Sequence, residues 1–71
     1  MTQTELKVVR HLKENNFDKD VAIISILALK HDEKLVSEFY DWLISNKNIK
    51  TEDIYEKIVE ITPKQEISIE D

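Results

Sequence analysis

A chain of 71 residues with fifteen acidic side chains, ten basic ones and a net charge of −5 holds one domain, and at this size folding buries only about 60% of the unfolded chain's surface. Cysteine is absent, which excludes disulfides, thiolate zinc sites and cysteine nucleophiles and points to a reducing cytosol. Glycine is absent too, which argues against phosphate-cradling loops, nucleophile elbows and dinucleotide turns, since these need backbone that tolerates positive φ or close approach.

The opening MTQTELKVV lacks the basic start and apolar run of a signal peptide. The longest apolar stretch, Val21 to Leu29, is interrupted by Ser25 and falls far short of the about 20 residues of a membrane span. The chain is expected to be cytoplasmic and in no contact with a membrane. Its richness in Ile, Lys, Glu and Asn with a single Arg fits an AT-rich bacterial or phage genome.

The first helix is expected from about Gln3 to Asn15, opened by Thr2 with Glu5 three residues on, the spacing of a capping box. Leu6, Val9 and Leu12, with Val8 beside them, make its apolar stripe. Asn15-Asn16 ends it, and Phe17 precedes Asp18, the N-cap of a second helix running to about Lys30. That helix has apolar side chains on all sides, the pattern of a central element surrounded by others.

Polar residues 30–34, with Asp32 as an N-cap, read as a turn, although no glycine or proline enforces it. The third helix, about Glu33 to Ser45, places Leu35, Val36, Phe39, Trp42 and Leu43 on one face, with Tyr40 and Ile44 at its edge. A fourth begins after Thr51, whose hydroxyl is the expected cap, and buries Ile54, Tyr55, Ile58 and Ile61. Thr62-Pro63 stops it, because a residue before proline is pushed out of the helical region. In the tail, Ile67 and Ile69 alternate with Glu66, Ser68 and Glu70, a period of two. The reading is an all-α fold: a compact bundle of about four short helices over residues 1–63, followed by an extended or disordered acidic tail over 64–71.

No constellation here carries catalysis. His11 projects away from the first helix's stripe and reads as a surface residue. His31, Asp32 and Glu33 are consecutive on a turn and do not converge on one point, so no metal site and no cofactor is expected. Ser25 has no base within a turn of it, and its hydroxyl is expected to bond back to the carbonyl of Val21. The aromatic residues lie among aliphatics at core spacing, not among basic residues as a nucleic-acid platform would require. A DNA-reading helix must present Arg, Lys, Asn or Gln along one face, and none of these helices does so convincingly.

Charge, by contrast, is unevenly placed. Residues 1–50 carry eight acidic and eight basic side chains, so residues 51–71, with seven acidic and two basic, hold the whole net charge. Glu52, Glu56 and Glu60 follow one another at i, i+4, where like charges repel. The function expected from this is a non-enzymatic interaction module, an adaptor, inhibitor or regulator. Glu52, Glu56 and Glu60 would steer a basic protein partner, and Tyr40, Ile44, Ile67 and Ile69 would add apolar contact. A homodimer would cover apolar surface in excess of what four short helices hide. The alternatives are a helical DNA-binding or transcription-associated regulator and an acidic DNA mimic that occupies the groove of a DNA-binding protein.

Overall fold

The computed structural model describes residues 1–62. It consists of four helices, α1 (Gln3–Glu14), α2 (Lys19–Ala28), α3 (Glu33–Ser45) and α4 (Thr51–Ile61), with no strand among the described residues. The expected all-α bundle is therefore what the chain forms, and the third helix has the bounds its capping and periodicity indicate. The tail over 64–71, with Ile67 and Ile69, lies outside the described residues.

The helices pack in a ring: α1 lies against α2 and α3, and α4 lies against the other sides of both. Inside it Val8 and Leu12 meet Val21, Ala22 and Leu29 of the α2 segment, Val36, Phe39 and Leu43 of α3, and Ile54 and Ile58 of α4. Phe39 stacks on Trp42 with centroids 6.0 Å apart. Ser25 is fully buried, and its hydroxyl donates to Val21 O at 2.7 Å, as expected for a polar group in an apolar helix.

Three packing expectations need correction: Tyr55, expected to be buried by α4, is exposed, and the other two concern α2 and α1. Helix α2 is not surrounded: Val21, Ala22, Ser25, Ile26 and Leu29 face inward while Ile23, Ile24 and Leu27 stand in solvent. Apolar content fixed its hydrophobicity but not which face its neighbours would cover. In α1 the inward row is Glu5, Val8 and Leu12; Leu6 is exposed and Val9 is half-buried. The buried row is thus rotated from the Leu6, Val9, Leu12 stripe, and it contains a carboxylate.

Without glycine, the turns are made by other means. Asn16, Lys30, His31 and Asn48 all take positive φ, at 70°, 57°, 55° and 59°. After α1, Phe17 N donates to Leu12 O and Asn16 N to Lys13 O. After α2, His31 N donates to Ile26 O and Lys30 N to Leu27 O. Both are Schellman endings, which satisfy the last carbonyls of a helix by placing a left-handed residue just beyond its cap. Asparagine tolerates that conformation, whereas lysine carries its full steric cost.

The helix starts differ in how they are capped. Thr2 and Glu5 form the expected capping box, and Asp32 accepts from the backbone of Lys34 and Leu35. Asp18 occupies the N-cap position of α2 without a side-chain hydrogen bond. Thr51 does not cap α4, because it is already the first helical residue; the Asp53 carboxylate reaches back to accept from Lys50 N at 3.0 Å instead.

Candidate functional site

The expected partner surface divides in two. Glu52, Glu56 and Glu60 are all exposed on the outer side of α4. Lys57, half-buried between them, bonds Glu60 at 3.3 Å and lies 5.9 Å over the Trp42 ring, so this flank of α4 faces α3. Trp42, Asn46 and Ile49 line an open groove together with Asp53, Glu56 and Glu60, and Lys47 and Lys57 line it too, whereas Glu52 lies outside it. The acidic row is thereby joined to an aromatic edge. Tyr40 and Ile44, by contrast, lie on the flank of α3 that faces α1. Tyr40 meets His11 edge to face at 6.2 Å and carries Lys7 5.9 Å over its ring. Ile44 is exposed and lines a second open groove with His11, Phe17 and Leu43. The fold does not bring Tyr40 and Ile44 to the glutamate row.

His11 is consequently half-buried against α3, not a free surface side chain. The larger departure is at His31. Its Nδ1 lies 2.8 Å from Oε2 of Glu5, whose side chain is 3% exposed against 58% for the histidine. The other carboxylate oxygen, Oε1, accepts from Thr2 N at 3.0 Å. A shallow depression lined by Met1, Thr2, Glu5 and His31 covers the pair. The Thr2 backbone N–H, and after it the His31 side chain, hold the Glu5 carboxyl below the ordinary carboxylate range; burial pushes the other way and loses. Next to this pair Thr4 Oγ1 donates to Glu33 at 2.6 Å, a second tie from α1 to the start of α3.

A carboxylate that holds a histidine by one ring nitrogen resembles the orienting half of a catalytic triad. Among the described residues the hydroxyls nearest the pair are engaged elsewhere, Thr2 Oγ1 by Glu5 N and Thr4 Oγ1 by Glu33. No group of three His, Asp or Glu side chains among the described residues converges to hold a metal. The arrangement instead ties the first turn of α1 to the α2–α3 turn. Sequence inspection assigned Glu5 only its capping role. The signal that could have found more is its phase, because Glu5, Val8 and Leu12 stand at i, i+3 and i+7, a single inward row.

For nucleic acid, the exposed positions of α3 include Lys34, Glu38 and Asp41, a mixed face that offers phosphates little. No helix among the described residues is long and apolar enough to cross a membrane. No family model matches the chain, and neither the curated proteins nor the solved structures contain a match to it.

Proposed function

We propose that this chain is a small protein-interaction module without catalytic chemistry, and that it docks a basic partner on the outer row of α4. The observation that supports this is the row itself. Glu52, Glu56 and Glu60 are exposed in succession, a pattern that costs a helix stability at each like-charged pair, beside a groove with Trp42 in its wall. Such a surface suits Lys or Arg side chains flanking an apolar one: charge steers the encounter and the aromatic edge supplies area. Tyr40 and Ile44 lie on the flank of α3 toward α1, and the Ile44 groove shares Asn46, Lys47, Asn48 and Ile49 with the Trp42 groove, so Ile44 adjoins this contact. Freedom from cysteine and the Ile-, Lys- and Asn-rich composition support a reducing bacterial or phage-infected cytosol as the setting of this role.

The test is capture from lysate with the wild-type chain and with Glu52, Glu56 and Glu60 all changed to Lys. The wild-type chain is expected to retain a basic protein that elutes as salt is raised, and the reversed chain to retain none of it. Equal retention with an unchanged salt dependence overturns the reading. A second probe, duplex DNA as competitor, separates a DNA mimic from an ordinary docking surface, since only a mimic's partner is displaced by it.

A further inference from the structure

Among the described residues, the outer side of α2 leaves three neighbouring apolar side chains in solvent. Ile23, Ile24 and Leu27 are 38%, 49% and 58% exposed, and at spacings of three and four they form one continuous ridge. Its borders carry further exposed apolar residues, set among charged ones such as Arg10 and Glu52. Helix α1 turns Thr4 and His11 toward α3, which by helical phase leaves Leu6 on the flank nearer α2. Helix α4 turns Lys57 toward α3, which leaves Tyr55 and Val59 on its α2 flank. All three are exposed. A contiguous apolar surface of this kind on a small chain marks an interface.

The charges around the ridge indicate what covers it. Asp20 stands on the outer face at its N-terminal end with Lys19 beside it, Lys30 follows the last turn at its C-terminal end, all three are exposed, and no charged residue lies between Asp20 and Lys30. The point midway between Asp20 and Lys30 along the chain is also midway between Ile23 and Leu27. A two-fold interface must be complementary to itself, with residue i against j and j against i. This ridge meets that condition with two α2 helices antiparallel, Ile23 of each against Leu27 of the other, and Asp20 of each against Lys30 of the other. Antiparallel helices also set their dipoles in opposition.

We infer that the outer face of α2 is a two-fold, antiparallel interface with a second copy of this chain. In the dimer Glu60, on the Lys57 side of α4, stays clear of the interface, while Glu52 and Glu56, seven and three residues before Val59, lie at its edge. The interface stands independently of the docking role assigned to α4.

Sedimentation equilibrium of the full chain over micromolar to millimolar concentrations tests it. The wild-type chain is expected to move from one chain mass toward two. Leu27→Glu, at an exposed position that folding does not use, is expected to raise the dissociation constant by about thirtyfold or more, as loss of a central interface anchor does. Charge variants read the geometry. Asp20→Lys alone and Lys30→Asp alone each set like charges against each other at both ends and are expected to weaken self-association by about tenfold. An equimolar mixture of the two variants restores both opposed pairs and is expected to form a heterodimer of wild-type affinity. A wild-type chain that stays monomeric throughout overturns the inference, as does a Leu27→Glu chain of unchanged mass. Failure of the mixture to associate better than its components overturns the antiparallel pairing.

Discussion

His31 Nδ1 and Glu5 Oε2 meet at 2.8 Å across 26 positions of sequence. The contact joins the turn between α2 and α3 to the first turn of α1. Glu5 therefore serves two structures at once: one oxygen caps its own helix through Thr2 N, and the other holds a turn whose two central residues, Lys30 and His31, are both left-handed. Strained backbone persists only where surrounding contacts over-determine it, and the carboxylate supplies one of them.

The Glu5 carboxylate gives the fold a dependence on pH of definite sign. Its pKa is lowered in the folded state from the ordinary 4.5, so in acid the unfolded chain binds the proton more readily and stability falls as pH falls. The contribution is complete above about 4.5 and is lost as pH drops through the folded value. Glu5→Gln removes this titration. Urea midpoints followed from neutrality into acid are expected to fall less steeply for Glu5→Gln than for the wild-type chain, and parallel slopes would show that Glu5 is not the group responsible.

Core substitutions separate packing from polarity. Phe39 is fully buried at the meeting of the helices, and its truncation to Ala removes about 3–5 kcal/mol, much of the about 5–15 kcal/mol available to a small domain. Ser25→Ala, equally buried, is expected to change stability by less than about 1 kcal/mol, because Val21 O keeps its helical bond when the hydroxyl is removed. Thermal unfolding monitored by circular dichroism measures both. A large loss at Ser25 would mean that the hydroxyl has a partner other than Val21.

What was legible in sequence, and what was not, follows from the range of each signal. The capping box at Thr2 and Glu5 and the Asp32 cap are local, three residues or fewer, and α3 begins and ends where they and its apolar period put it. The exposed ridge of α2 was not legible, because nine positions with one polar residue leave no contrast to reveal which side neighbours will cover. The partnership of Glu5 with His31 was equally hidden: it depends on how α1 and the α2–α3 turn meet in space. For the acidic row the sequence was sufficient to expose Glu52, Glu56 and Glu60 on one side of α4. It was insufficient to show that Trp42 flanks the row and that Tyr40 and Ile44 do not.

The left-handed residues give a ranked prediction. Lysine at positive φ costs about 1–2 kcal/mol, and glycine relieves that cost but adds about 0.5–1 kcal/mol of unfolded-chain entropy. Lys30→Gly is thus expected to stabilise the fold by about 0.5–1 kcal/mol. Asn16→Gly and Asn48→Gly should gain less, since asparagine already tolerates the conformation. Chemical denaturation of the three variants in dilute solution gives the order, and a destabilised Lys30→Gly would mean that the lysine stem packs usefully at the turn.

The glutamate row offers a way to ask whether stability or binding explains it. Glu56 stands between two like charges, and replacing it with Gln removes both repulsions, worth together about 0.4–1 kcal/mol at low ionic strength. Exposed charges are screened at high salt, so the gain should shrink as salt is added. A residue whose neutralisation strengthens the fold is not held there by folding, and solubility alone does not require three carboxylates in one line. If Glu56→Gln instead weakens the fold equally at low and high salt, the side chain makes a stabilising contact and the case for a docking row on α4 loses its basis. Urea denaturation at two salt concentrations decides between them.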